Sequence, residues 1–188
     1  MNSDHLPFKE KDALIIVDMQ KDFCPGGALP IPDGDSIIPY LNDCIRQAEK
    51  ETIPVFYSRD FHPVVHPSFD SYGGSWPEHC VQDTEGARLH PDLYLAESAI
   101  YVTKGVRLDR DQNSAFDQTG LKHYLDAVGI QRVWIAGLAM DVCVLATVLD
   151  ALASDLQAIL LSKGTRPVSE QGEQKAREKM TDSGVVIY

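Results

Sequence analysis

Six short apolar runs punctuate the chain: Ala13 to Val17, Ile53 to Tyr57, Ala99 to Val102, Val133 to Ala136, Ala158 to Leu161 and Val185 to Tyr188. They are nearly continuous and do not alternate with polar residues, the pattern of strands covered on both faces, and so of a parallel sheet. Helical periodicity fills the intervals. Ile37, Ile38, Leu41, Ile45 and Ala48 share one face, with Ser36 as the expected N-cap and Pro39 early enough in the helix to be tolerated. Leu121, Tyr124, Leu125 and Val128 form a second apolar face, closed by Gly129. Val142 to Ala153 is apolar nearly all round, which predicts a helix packed on the sheet and on a further surface such as another subunit. Ser169 to Met180 is mostly polar and reads as a surface helix. This alternation of strand and helix predicts an α/β sandwich of three layers.

Two stretches break the alternation. Phe61 to Pro91 and Phe23 to Asp35 are rich in Pro and Gly, and loops of such length inside a domain are usually functional or disordered. Their aromatics, Phe23, Phe61, Phe69, Tyr72 and Trp76, argue against disorder. Both loops leave the carboxyl ends of predicted strands, where parallel sheets bind ligands.

The length of 188 residues suits one domain over 1–188. With 17 basic against 28 acidic residues the formal charge is -11. No cluster of Lys and Arg offers a phosphate-binding surface, so neither nucleic acid nor an anionic membrane is an expected partner. The cysteines at 24, 44, 80 and 143 show no CxxC spacing, and the N-terminus carries no secretory pattern. Free thiols and a cytoplasmic location are expected. No apolar run is long enough to span a bilayer. "CPGGALP" lacks both the dinucleotide fingerprint and the Lys-Ser/Thr ending of a nucleotide-binding loop, and no GxSxG elbow marks a serine hydrolase.

Against that background three residues stand at predicted strand ends. Asp18 follows the first run, Lys104 the third and Cys143 the fourth. Taken singly, each has an ordinary role: a loop carboxylate, a solvent-facing lysine, a buried inert thiol. In a parallel sheet, however, all three leave the same edge, so a carboxylate, an ammonium and a thiol can converge. Such a set can run amide hydrolysis, with the carboxylate shuttling the proton and the thiol attacking the carbonyl. Cys143 is expected in the first turn of a helix, where free N–H groups and the dipole favour a thiolate. Backbone N–H groups of Ala139 and Cys143 can face the oxyanion.

A second set lies in "SRDFHP" and "SWPEHC". Asp60 and His62 are two apart, so on an extended segment they point the same way. His79, returned by the long loop, completes two histidines and one carboxylate, a set that leaves positions open on a metal. The plainer alternative makes all three loop or packing residues, and His66 competes with His79 for the third place. His5, His90 and His123 have no comparable setting.

"VDMQKDFCPGGALP", "SRDFHP", "SWPEHCVQDTEGA", "TKG" and "AGLAMDVCV", in that order, resemble segments of the nicotinamidases, within the isochorismatase-like cysteine hydrolases. The resemblance covers nearly the whole chain. It implies a six-stranded parallel sheet and Asp18, Lys104 and Cys143 as catalytic triad. It also implies Asp60, His62 and His79 as ligands of one divalent metal, usually zinc, with iron or manganese as alternatives, which meets the pyridine nitrogen directly or through water. Phe23 and Trp76 match residues that sandwich the ring, and Leu29 and Met140 are expected in the substrate pocket. The Leu138–Ala139 bond falls where the family has a non-proline cis peptide, and a homo-oligomer is expected. The implied reaction converts nicotinamide to nicotinate and ammonia through a thioester, with pyrazinamide as an analogue. The competing reading is the same chemistry on an N-carbamoyl, ureido or other small amide. Three departures from the pattern stand out: Met140 where threonine is common, Lys163 where an acidic residue is usual, and the arginines Arg107 and Arg110 after Lys104.

Overall fold

Each apolar run lies within or beside a strand in the computed structural model, which describes residues 5–188. Residues 1–4 of the domain expected over 1–188 lie outside the described residues. The strands are β1 (Asp12–Val17), β2 (Val55–Asp60), β3 (Ile100–Lys104), β4 (Arg132–Leu138), β5 (Gln157–Arg166) and β6 (Val186–Ile187). They form one sheet in the order β3-β2-β1-β4-β5-β6, with every pairing parallel.

Alternate residues of the strands feed two separate cores, as the period-2 geometry of a strand requires. Leu14 and Ile16 of β1, with Trp134 and Ala136 of β4, pack beneath Leu41, Ile45 and Ala48 of α1 (Ile38–Lys50). Ala13, Ile15 and Val17, with Val133 and Ile135, face the opposite layer. That layer contains α2 (Leu121–Ala127), α3 (Leu145–Ala153) and α4 (Glu170–Asp182). The helices therefore cover both faces of the sheet, giving the three layers that the strand pattern predicts. No helix among the described residues is long and apolar enough to cross a membrane.

Several local expectations change. Ser36 does not cap α1; it lies inside a 3-10 turn, Gly34–Ile37, and its hydroxyl donates to the Asp33 carbonyl at 2.6 Å. A true side-chain cap occurs at α4, where Ser169 accepts from the Gly172 amide. The second apolar face expected on α3 is met within the chain: Val148 and Ala151 share a core with Ala176 and Met180 of α4. This face therefore lends no support to a subunit contact.

Sheet order places the site. The chain runs outward from β1 through β2 to β3, then returns to place β4 on the other side of β1. The crevice between the ends of β1 and β4 is the switch point at which such sheets bind ligands. Val17 pairs with Gly137 at that edge, and Gly137 takes φ +121. A Cβ at Gly137 would lie 2.0 Å from the Val17 carbonyl oxygen, so only glycine lets the two strand ends close here. We expect Gly137→Ala to lower the free energy of unfolding by about 2–5 kcal/mol, combining backbone strain with overpacking. Urea denaturation checks this, and an unchanged midpoint would contradict it.

Candidate active site

Asp18 immediately follows β1, Asp60 and Lys104 end β2 and β3 as register partners, and Cys143 follows β4. Parallel alignment thus carries residues far apart in sequence to one edge. The ammonium of Lys104 is fully buried and lies 2.7 Å from Asp18 Oδ2, 2.7 Å from Asp60 Oδ1 and 3.5 Å from Cys143 Sγ. It also donates to the Gln112 carbonyl at 3.2 Å. Carboxylate oxygens of Asp18 and Asp60 and the Cys143 sulfur lie within 4.8 Å of one another.

Two buried polar side chains that the sequence reading passed over hold these carboxylates. Ser58 Oγ donates to Asp18 Oδ1 at 2.6 Å. Gln20 brackets the Asp60 backbone: its Nε2 donates to the Asp60 carbonyl at 2.7 Å and its Oε1 accepts from the Asp60 amide at 2.7 Å. Ser58 lies within β2 and Gln20 just past β1, where one polar residue in or beside an apolar run carries no periodic signal.

The local electrostatics follow from burial and one shared cation. Burial raises the Asp18 carboxyl above its ordinary value, although Lys104 pulls it down. Burial acts the same way on Asp60, but there the Lys104 charge, foremost among the opposing influences, prevails and holds it low. Burial pushes the Cys143 thiol well above its usual range, with Lys104 opposing and both carboxylates adding to the rise. Lys104 itself is held well above the ordinary lysine value; burial opposes its charge, but Asp18 and Asp60 outweigh that cost.

Cys143 does not occupy the first turn of an α-helix. It lies in a π-helical turn, Met140–Val144, pivoting on the Ala139 carbonyl, which accepts from the amides of Val142 and Val144. The Leu138–Ala139 peptide bond is cis. This turn directs Met140 away from the cleft. The Met140 side chain is buried in the core beneath α3 and α4 and does not line the cavity, a correction to its expected place in the pocket.

Asp60, His62 and His79 present ligand atoms within 4.8 Å of one another. His62 Nδ1 faces the Gly105 carbonyl at 2.9 Å and His79 Nδ1 faces the Pro77 carbonyl at 2.7 Å. Each carbonyl can only accept, so these contacts put the proton on Nδ1 and turn the Nε2 lone pairs outward, as second-shell partners of metal-binding histidines do. His62 Nε2 is buried without a hydrogen-bond partner, and burial lowers its pKa to about 4. Gly105, at φ +71, makes a sharp turn directly after Lys104; a Cβ there would lie 2.6 Å from the His62 ring. His66 Nε2 is also buried and unpartnered, and His66 forms an overlapping group with His62 and Asp111. An orphaned nitrogen aimed at a carboxylate fits a divalent cation.

The cavity over this cluster is lined by Phe23, Leu29, Trp76, Asp60, His79, Ala139 and Cys143, as expected, and by Ile31, Asp111, Asn113, Val142 and Val168, which were not. Asp22 ties its two long walls together, accepting from the Ala28 amide at 3.1 Å and the Cys80 amide at 2.7 Å. Arg107 pairs with Asp109, at 2.6 Å, and Arg110 also faces Asp109; neither lines the cavity. Lys163 lies on β5 and is exposed. Among the described residues no disulfide joins the cysteines.

Fold and site together define a three-layer α/β protein whose switch point holds a carboxylate, an ammonium and a thiol beside a metal-type cluster. Residues 12–188 match the isochorismatase domain model, and the chain belongs to the isochorismatase family. It is 36% identical to a nicotinamidase of Escherichia coli (strain K12), covering 94% of this chain and 93% of that relative. Among solved structures it is similar to pyrazinamidase of Pyrococcus horikoshii in complex with zinc. That match has a TM-score of 0.91 and 42% identity over 95% of this chain and 98% of the other. PnC1 from L. infantum in complex with nicotinate matches with a TM-score of 0.87 and 35% identity, over 95% and 92% of the two chains.

A carboxylate that takes the thiol proton must be ionised, so with Asp18 in that role activity should fall as pH drops through its raised pKa. Ser58 donates to the carboxylate and favours its charged form. We therefore expect Ser58→Ala to move the acid limb of the kcat/KM profile toward higher pH, as measured by ammonia release across pH. An unmoved limb would show that another group sets it.

Proposed function

We propose that this chain hydrolyses nicotinamide to nicotinate and ammonia, and accepts pyrazinamide, through a thioester on Cys143. The observation that carries this reading is the cavity floor: Cys143 Sγ lies 3.5 Å from a buried ammonium that is itself paired with Asp18. Asp18 takes the thiol proton as sulfur attacks the carboxamide carbon, and the developing oxyanion faces the Ala139 and Cys143 amides. Collapse breaks the C–N bond, the Asp18 acid returns its proton to nitrogen, and ammonia leaves. Water, activated by Asp18, then cleaves the thioester and regenerates the thiol.

Phe23 and Trp76 supply apolar faces for a planar ring, with Leu29 completing the wall. Asp60, His62 and His79 would hold a divalent ion, most simply Zn2+, with Fe2+ and Mn2+ compatible with the same nitrogen and oxygen donors. Bound there, it would engage the pyridine nitrogen and orient the ring. An N-carbamoyl or ureido substrate lacks that nitrogen, so the donor set favours the pyridine over the other small amides. We further read residues 1–188 as one domain, acting in the cytoplasm as a homo-oligomer, in line with the single sheet and the family resemblance.

Two expected outcomes test the reading. Cys143→Ala should reduce ammonia release from nicotinamide at least about a thousandfold, since loss of an attacking group removes the covalent route; activity near wild type would refute the thioester. His62→Ala should lose stoichiometric metal by elemental analysis after reconstitution with Zn2+. Retention of one ion per chain would exclude this ligand set.

A further inference from the structure

The loop between β3 and α2 contributes two polar side chains to the cavity, Asp111 and Asn113, to which the reaction above assigns no part. Asp111 is already engaged, accepting from the Gln112 amide at 2.9 Å and grouping with His62 and His66. Asn113 is different. Its Oδ1 accepts from the Cys143 thiol at 3.8 Å, a sulfur contact, so an acceptor faces the reacting atom directly.

The backbone around Asn113 is fixed on both sides. On one, the Gln112 carbonyl receives Lys104 Nζ, while the Gln112 side chain accepts from the Val106 amide at 3.0 Å and donates to the Asp117 carbonyl at 2.6 Å. On the other, the Ala115 amide donates to Thr147 Oγ1 of α3 at 3.0 Å. The loop is thus tied both to the catalytic lysine and to the helix that follows the nucleophile.

We infer that Asn113 is a specificity-determining residue whose Oδ1 accepts an N–H of the substrate carboxamide, selecting primary amides over the corresponding esters. This rests on the amidase reading above. A carboxamide brought to Cys143 presents an oxygen, which the Ala139 and Cys143 amides can hold, and an NH2, which needs an acceptor once it leaves water. Asp18 serves the leaving nitrogen as proton donor, not as a lasting acceptor. When substrate arrives, the thiol proton passes to Asp18, which frees Asn113 Oδ1 from its sulfur contact. The amide N–H replaces that contact, and no proton moves to or from Asn113. A methyl ester has no hydrogen to offer and leaves the acceptor unpaired, the situation in which polar sites discriminate most strongly.

The test compares nicotinamide with methyl nicotinate as substrates of metal-reconstituted wild type, Asn113→Leu and Asn113→Ala. The ratio of kcat/KM for amide over ester should fall about five- to tenfold in both variants, the size of one lost hydrogen bond. The leucine keeps the side-chain volume and the alanine adds no bulk, so agreement between them separates the lost acceptor from a packing defect, and circular dichroism verifies folding. If both substrates lose rate equally, Asn113 only shapes the loop and the inference is overturned. An unchanged ratio overturns it as well. Wild type that releases no ammonia from nicotinamide would instead overturn the amidase reading itself.

Discussion

A lysine ammonium without access to water organises this active site. Lys104 has three N–H bonds and finds Asp18, Asp60 and the Gln112 carbonyl, so each donor has a partner. Burying an isolated ammonium costs many kcal/mol, and only close opposite charges offset it. The two carboxylates in turn tolerate burial at such short range only because the cation lies between them. Removing Lys104 would leave two facing buried carboxylates uncompensated, and because Asp60 pairs with it while also presenting an oxygen to the histidines, the two clusters form one network.

That network depends on strand ends being level. Val17 lies opposite Gly137 and Asp60 opposite Lys104, so the residues at or just past these positions project from one edge. Sheet order makes β1 and β4 neighbours whose connections run off in opposite directions, which opens the switch-point crevice above their paired ends. The loops that wall the cavity are anchored from below: Gln20 holds the Asp60 backbone and Asp22 joins the Phe23 loop to the segment following His79. Their order comes from side-chain contacts to backbone groups, since they contain little regular structure.

Much of this was legible from a few signals. Continuous apolar runs reveal strands wherever both faces are covered, and a charged residue just past such a run marks the edge of the sheet; Asp18 and Lys104 were visible in that way. The DxH spacing carried Asp60 and His62. Ser58 and Gln20 were not legible, because a polar residue in or beside an apolar strand gives no pattern until its tertiary partner is known. Asn113 lay hidden in a charged loop of no period, placed only by contacts of its neighbours with Lys104 and Thr147. Met140 was expected in the pocket from the resemblance and its nearness to Cys143, but the π-helical turn buries its side chain in the core under α3 and α4.

The same turn alters the chemistry expected of Cys143. A helix N-terminus stabilises an anion by about 0.3–1 kcal/mol, and up to about 2 in favourable burial. A carboxylate within 4.8 Å of the sulfur opposes a thiolate by about 3–4 kcal/mol at an effective dielectric constant near 20. Two carboxylates and one ammonium give the cluster a formal charge of −1 before the thiol ionises. One ammonium cannot balance three anions, so the dipole loses and the resting sulfur keeps its proton. Nucleophile formation must then coincide with neutralisation of a carboxylate, and Asp18, whose affinity for a proton burial has raised, is the one placed to receive it. Transfer from sulfur to Asp18 leaves the net charge unchanged while moving the negative charge onto the attacking atom. On the proposed amidase reading, the proton stored on the Cys143 sulfur would pass to the leaving nitrogen through a single carboxylate.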